Sequence, residues 1–293
     1  MLRAPTLDTT QKEMDFFDSS FFATGKSLPS PQEVIALSSE FTTNPRPAPI
    51  KFEELGLLVK FGHYVAVDEA LCLRALRQSP LLAKKIPVPE VYGWRVHRDT
   101  VLIYMELIRG DTIQDRWDSL SELDKASICD QLREIVSSLR QAKQDPGDSF
   151  IGSISHQHLR DYVFHHMPRT GPFKNVKEFN DWFSFLPQHW LPESRRYQDP
   201  YRHFLPDTAE IKFTHGDLHL NNIMISSTGP PRILAVIDWA HAGWYPEYWE
   251  YCKACYTSHC EGEWRNVWMP KFLTPYEIEC HVFGDYVLQM GAV

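Results

Sequence analysis

The octapeptide HGDLHLNN at residues 215–222 and the tripeptide IDW at residues 237–239 are the most informative segments of this chain. In the first segment, Asp217 precedes Asn222 by five positions, and in the second, Asp238 ends a short apolar run. At sites of phosphoryl transfer, an Asp placed like the first accepts the proton of the attacking hydroxyl, while the Asn and a second Asp bind Mg²⁺ through oxygen. The spacing therefore predicts that Asp217 is the catalytic residue and that Asn222 and Asp238 are metal ligands.

Each of these acids has a simpler explanation when it is taken alone, because Asp often stabilises turns. The neighbouring sequence favours the chemical interpretation. Apolar runs at residues 211–214, 223–225 and 233–237 predict short strands around the motif, and a Ser-Ser-Thr-Gly-Pro-Pro turn predicts that the last two form a hairpin. We expect His215 to be a buried hydrogen-bonding support and not a catalyst.

The order of the other predicted elements defines the fold class. Further strands are predicted at residues 56–62, 91–96 and 100–105, and helices at residues 65–78, 121–143, 176–185 and from Pro246 onward. Residues 1–50 contain pairs of Phe and clustered Pro, which favour an extended arm packed on the body. Because a strand-rich segment precedes a mainly helical one, the sequence predicts an α+β fold and not a doubly wound sheet.

The motif at residues 215–222, together with residues 237–251 (IDWAHAGWYPEYWEY), resembles the aminoglycoside phosphotransferase and choline kinase-like family. The tail after Asp238 is most similar to filamentous-fungal members, and the resemblance covers roughly residues 50–255 in ordered pieces. It implies a protein-kinase-like fold with two lobes and ATP between them. Residues 1–107 would form an N-terminal arm and a β-rich nucleotide-binding lobe, and residues 108–293 a larger helical lobe with the acceptor pocket.

The resemblance also implies roles for residues upstream. Lys60 matches the lysine that neutralises the phosphates of ATP, and Glu69 matches the acid that positions this lysine. Residues 104–110 would form the hinge, where the backbone of Glu106 and Ile108 would bind adenine. The simpler alternatives are a strand-end lysine that reaches water for Lys60 and an acid favoured by the helix dipole for Glu69.

Two departures from the family pattern keep a second function open. Residues 41–55, which should cover the phosphates, contain no glycine, although glycine best permits a close backbone approach. Ala240 stands where many related fungal sequences have Glu. The main prediction is an ATP- and Mg²⁺-dependent phosphotransferase acting on a hydroxyl of a small molecule. The alternative is an inactive relative that binds nucleotides or small molecules.

Composition narrows the class of protein further. A net charge of −8 argues against nucleic acid as a partner, and no apolar run is long enough to span a membrane. Six Cys and no export signal predict reduced thiols in the cytoplasm. A zinc site from Cys252, Cys255, His259 and Cys260 is disfavoured, because all four fall on one predicted helix. The sequence leaves the acceptor and the oligomeric state open.

Overall fold

The strand that carries Lys60 lies inside a five-stranded antiparallel sheet in this computed structural model, which describes residues 1–41 and 43–292. Thr42 and Val293, the last residue of the predicted helical lobe, lie outside the described residues. The sheet order is β1-β4-β5-β3-β2. Its strands are β1 (Glu13–Asp15), β2 (Ile50–Phe52), β3 (Leu57–Gly62), β4 (Val91–His97) and β5 (Thr100–Glu106).

The alternation of side chains along β3 determines which residues face the core. Leu57, Val59 and Phe61 are buried against Leu102 and Tyr104 of β5 and against residues of the N-terminal arm. Because successive side chains of a strand point to opposite faces, Lys60 projects from the other face. Helix α2 (Val67–Gln78) packs on that side and buries most of its apolar residues there.

The N-terminal arm is more regular than the sequence predicted. Strand β1 pairs with β4, and the short helix α1 (Pro31–Ala36) buries Val34 in the same core as Phe21. Phe16 packs edge-on against Trp94 at 5.5 Å. The predicted arm is therefore present, but strands β1 and β2 were not predicted.

The remaining chain is mainly helical. Its helices are α3 (Ile113–Arg116), α4 (Glu122–Arg140), α5 (Val176–Phe185), α6 (Trp249–Tyr256) and α7 (Glu277–Gln289). Five short strands complete it, namely β6 (Asp111–Thr112), β7 (Ile211–Thr214), β8 (Ile223–Ile225), β9 (Ile233–Val236) and β10 (Gly243–Pro246). Strands β6, β8 and β9 form one small sheet, and β7 pairs with β10. Ser121 caps α4 and forms a capping box with Asp124, at the predicted start of this helix.

One predicted helix boundary was wrong. Pro246 does not begin a helix, because it ends strand β10, opposite Ile211 of β7. Helix α6 starts at Trp249 and ends at Tyr256, so His259 and Cys260 lie beyond it, while Cys252 and Cys255 are buried free thiols. In residues 1–41 and 43–292, no group of three His, Cys, Asp or Glu side chains is arranged to hold a metal ion. No helix in the same ranges has the length and apolar character needed to cross a membrane.

Candidate active site

Lys60 and Glu69 meet where strand β3 faces helix α2. The Lys60 ammonium donates to both carboxylate oxygens of Glu69 at 2.8 Å. Glu69 is only 2% exposed although it lies in the first turn of its helix. A buried carboxylate is stable only when it is paired, and Lys60 supplies that pairing. The simpler alternative for Glu69, an acid favoured only by the helix dipole, required a position on the surface and therefore fails. The simpler alternative for Lys60 also fails, because its ammonium points into the protein.

Asp238 is the third member of this ion cluster. The Lys60 ammonium donates to one Asp238 oxygen at 2.7 Å, across 178 residues of sequence. Asp238 follows β9 with φ +62, a left-handed conformation that is costly for a non-glycine residue and typical of functional sites. Burial lowers the pKa of Lys60, but Glu69 and Asp238 outweigh it and hold that pKa above its usual value. The lysine is therefore charged.

Asp217 and Asn222 are joined within the loop between β7 and β8. The Asn222 amide donates to the backbone oxygen of Asp217 at 2.9 Å and to its carboxylate at 3.0 Å. The His219 ring lies 3.5 Å from the same carboxylate oxygen. Burial raises the pKa of Asp217. The hydrogen bond with His219 and the nearby rings of His241 and His215 lower it by more, so the pKa lies well below its usual value. Asp217 is therefore ionised.

Buried polar residues hold this loop from behind. His215 is 1% exposed, its Nε2 lies 3.0 Å from the Ile237 carbonyl, and its Nδ1 accepts from the Asp217 N–H at 3.1 Å. This is the supporting role that the sequence predicted for His215. The Glu250 carboxylate accepts from the backbone N–H groups of His215 at 2.6 Å and Gly216 at 3.0 Å.

The supporting role of Glu250 was missed by sequence reasoning. Its carboxylate is 1% exposed and faces the protein backbone. The only available signal was its place within the segment that resembles the family, 12 residues after Asp238. Spacing alone did not reveal that α6 brings it under the catalytic loop.

The predicted metal ligands lie on adjacent chain segments. The backbone N–H of Ile237, the residue before Asp238, donates to the Asn222 carbonyl at 2.9 Å. The Asn222 side chain donates to Asp217 through its nitrogen, which leaves its oxygen to bind a metal ion. The ion pair with Lys60 uses one of the two carboxylate oxygens of Asp238. One amide oxygen and one carboxylate form a donor set that fits Mg²⁺.

The predicted hinge lies at the opposite end of the sheet strands from the Gly62 end of β3. Leu57 pairs with Glu106, and the Glu106 N–H donates to the Glu90 carbonyl at 2.8 Å. That N–H is therefore committed to the protein, and adenine binding through the backbone of Glu106 and Ile108 stays a prediction.

A cavity of about 430 Å³ opens where the ion cluster meets the loop between β7 and β8, which we call the predicted catalytic loop. Lys60, Asp217, Asp238 and Ala240 line it, together with the proline-rich segment 45–49. A larger cavity of about 910 Å³ lies between the N-terminal arm and residues 144–160, and the predicted site residues do not line it. The smaller cavity is therefore the candidate active site.

A small antiparallel sheet that holds a lysine–carboxylate cluster against a mainly helical part defines the class of protein-kinase-like phosphotransferases. The model of the phosphotransferase enzyme family, APH, matches residues 56–276, and the chain belongs to that family. No curated protein matches the sequence.

Two solved structures illustrate the likeness of fold. The ADP-bound aminoglycoside phosphotransferase APH(2'')-Ib is 14% identical, with a TM-score of 0.50, over 84% of this chain and 79% of that one. The complex of gentamicin with APH(2'')-IIa is 13% identical, with a TM-score of 0.52, over 90% of this chain and 87% of that one. The predicted α+β, protein-kinase-like fold is confirmed.

Proposed function

We propose that this phosphotransferase moves the terminal phosphoryl group of ATP to a hydroxyl of a small molecule, with Mg²⁺ as cofactor. One observation carries the proposal. Lys60 contacts Glu69 and Asp238, and Lys60 and Asp238 line the same cavity as Asp217, although these residues come from distant parts of the chain. The ADP in the structure of APH(2'')-Ib supports the use of a nucleotide.

Asp217 would orient the acceptor hydroxyl and receive its proton. A carboxylate with a lowered pKa is a weak base, so its main contribution would be orientation, with proton transfer late in the reaction. Its hydrogen bond from Asn222 and the support of the loop by Glu250 would keep the carboxylate in one position. Positioning of this kind supplies much of the rate enhancement in phosphoryl transfer.

Lys60 would hold the phosphates, and Glu69 would fix the position of its ammonium. Asn222 and Asp238 would hold Mg²⁺, which when bound neutralises charge on the phosphates. Lys60 is already bound by Asp238, so an incoming phosphate would share the ammonium with two carboxylates. This arrangement keeps the cation charged and oriented before the nucleotide arrives.

The test measures ADP release with a panel of hydroxyl compounds and, separately, nucleotide binding by thermal shift. We expect the wild type to be stabilised by ATP with Mg²⁺ and to release ADP with at least one acceptor. Asp217→Asn should keep the thermal shift and lose turnover by about 10³-fold, within the range for general acid–base groups. Equal turnover by wild type and Asp217→Asn would remove Asp217 from the mechanism.

The proline-rich segment favours a second candidate, a nucleotide-binding module without turnover. Pro45 and Pro47 lie against Gly62 at the end of β3, where a Cβ on Gly62 would approach Pro47 to 2.9 Å. A rigid segment there has less freedom to close over phosphates than glycine would give. A thermal shift with ATP but no ADP release across the panel would favour this candidate.

We also propose the division of the chain at residues 107–108 and a cytoplasmic location. Leu107 follows the last strand of the five-stranded sheet, and its N–H still bonds to Gly56 of that sheet at 3.0 Å. All six Cys are free, which fits a reducing compartment. Limited proteolysis should cleave near residues 108–112 before it cleaves within β3 or α4.

A further inference from the structure

Basic side chains surround the part of the 430 Å³ cavity that lies beyond Lys60. We call this group the basic rim, and it comprises Arg46, His63, His158, Arg160, His165 and Arg169. The chain as a whole has a net charge of −8, so this concentration of basic groups is opposite to the average of the protein. The rim comes from three separate loops, at residues 45–49, at residue 63 and at residues 158–169.

The carboxylates that line the same cavity are already committed. Asp217 and Asp238 belong to the proposed catalytic machinery. Asp161 is buried and bonded to the Lys253 ammonium at 2.7 Å and the Trp249 indole at 2.9 Å. Among the lining residues that the structure describes, no carboxylate is therefore left to bind a cationic acceptor.

Two of the three arginines of the basic rim, by contrast, form no ion pair with a carboxylate among the described residues. Arg160 is paired with Asp68 at 2.8 Å, but no ion pair joins Arg46 or Arg169 to a carboxylate in the part of the chain that the structure describes. Burial and the neighbouring side chains of His166, Arg46, His63 and Arg169 lower the pKa of His165. These groups are thus close enough to repel one another, and an anion between them would relieve that repulsion.

Two tyrosines hold one of these arginines at the cavity. The Arg46 guanidinium lies 5.0 Å from the ring centre of Tyr64 and 5.1 Å from that of Tyr162. Cation–π contacts of this kind fix the plane of a guanidinium and leave its N–H groups free to bind a planar anion such as carboxylate.

The register of the sheet separates the rim from the nucleotide. Leu57 of β3 pairs with Glu106 at the expected adenine end, whereas Gly62 pairs with Val101 and leads directly into His63. At about 3.3 Å per residue, Leu57 and Gly62 are roughly 17 Å apart, with Lys60 between them. A nucleotide that spans from the hinge to Lys60 would meet the basic rim only with its terminal phosphate, beside the segment 45–49, which leaves the rest of the rim to the acceptor.

We propose that the acceptor carries an anionic oxygen group, such as a carboxylate, beside the hydroxyl that is phosphorylated. This inference rests on the proposed function, because it takes the cavity beyond Lys60 as the acceptor site. A polyamine acceptor would meet the basic rim without a free carboxylate to neutralise it. A hydroxy acid would find charge-assisted hydrogen bonds from Arg46 and Arg169.

Three pyranoses that differ in charge test the proposal. Protein loaded with Mg²⁺ and a non-hydrolysable ATP analogue is titrated with glucuronate, glucose and glucosamine, and binding is followed by calorimetry or NMR. We expect glucuronate to bind about 10-fold more tightly than glucose, as charge-assisted hydrogen bonds predict, and glucosamine to bind most weakly. Glucosamine binding as tightly as glucuronate, or no difference among the three, would overturn the proposal.

Two variants identify the origin of the preference. Arg46→Gln combined with Arg169→Gln should reduce glucuronate binding to the level of glucose, while Arg195→Gln, an exposed arginine outside the cavity, should leave the ranking unchanged. A preference that survives in the double variant contradicts the assignment. Because the titration measures binding alone, its result is separate from turnover. A retained ranking without any ADP formation would count against the proposed function and not against the anionic site.

Discussion

The protein contains two lysine–carboxylate clusters of similar geometry and different access to solvent. Lys60 lies 2.7 Å from Asp238, and Lys253 lies 2.7 Å from Asp161. The side chains of the first pair are 20% and 40% exposed, whereas those of the second are 1% and 0% exposed. The first pair lines the cavity, and the second stands behind its wall.

The difference lies in how completely the carboxylates are satisfied. Asp161 accepts from Lys253, from the Trp249 indole and from the Val163 N–H, so the protein itself uses both of its oxygens. Asp238 shares one oxygen with Lys60 and keeps an exposed side that a ligand can reach. A fully satisfied buried pair stabilises local structure, while a partly satisfied pair at a cavity is suited to binding.

Breaking the buried pair of Lys253 and Asp161 should have the largest effect on stability. Lys253→Met leaves the Asp161 carboxylate buried without its cation, so we expect the free energy of unfolding to fall by about 3–5 kcal/mol. Urea denaturation measures it, with the exposed Lys84→Met as control. A loss below about 1 kcal/mol would show that the pair is not structural and would break the comparison.

Breaking the pair of Lys60 and Asp238, which lines the cavity, should affect turnover more than stability. We expect Lys60→Met to lower kcat/KM for ATP by about 10²-fold, the cost typical of losing one donor that stabilises developing charge. Its free energy of unfolding should fall less than that of Lys253→Met for two reasons. Asp238 can reach water, and burial already raises the pKa of Glu69, so Glu69 can take up a proton when its cation is removed. Steady-state kinetics and denaturation are compared on the same preparations. If Lys60→Met is the less stable of the two variants, the two clusters do not differ in the way we infer.

Glu250 offers an intermediate case, since it is a buried carboxylate paired with backbone N–H groups and not with a cation. In Glu250→Gln, the amide NH₂ would face one of the two N–H groups of His215 and Gly216. We expect a loss of about 1–3 kcal/mol in the free energy of unfolding, the cost of an unsatisfied buried donor. Glu261→Gln, at an exposed position, serves as the matched control. Equal stability of the two variants would mean that the loop does not depend on Glu250.

The smallest expected effect is the pH dependence contributed by Asp217. Its folded pKa is lowered from 3.8, so its ionised form stabilises the fold above pH 3.8, and this contribution is lost as the pH falls through the folded value. We expect the unfolding free energy of the wild type to decrease more steeply than that of Asp217→Asn when the pH is lowered below about 4. Denaturation at several pH values measures both slopes. Parallel slopes would contradict the lowered pKa.

Much of the fold could be predicted because it depends on local signals. The run from Leu57 to Gly62 alternates buried and half-buried positions over most of its length, and Ser121 with Asp124 forms a capping box at the predicted start of α4. The strand β7 and the helix α5 have the predicted bounds. Strand β1 and the strand that ends at Pro246 were not predicted, because pairing with distant segments and not local preference creates them. Strand β2 and the late start of α6 were also not predicted.

The candidate site divides in the same way. The sequence by itself determined which residue types stand at which spacing, so Asp217, Asn222, Asp238, Lys60 and Glu69 could be proposed from the chain alone. Only the tertiary structure decided that Lys60 contacts both carboxylates, that Glu250 supports the catalytic loop and that Asp161 is neutralised by Lys253. The physical reason is that charge acts over ångströms in space. A net charge of −8 is a property of the chain, whereas the basic rim of the cavity exists only where three loops meet.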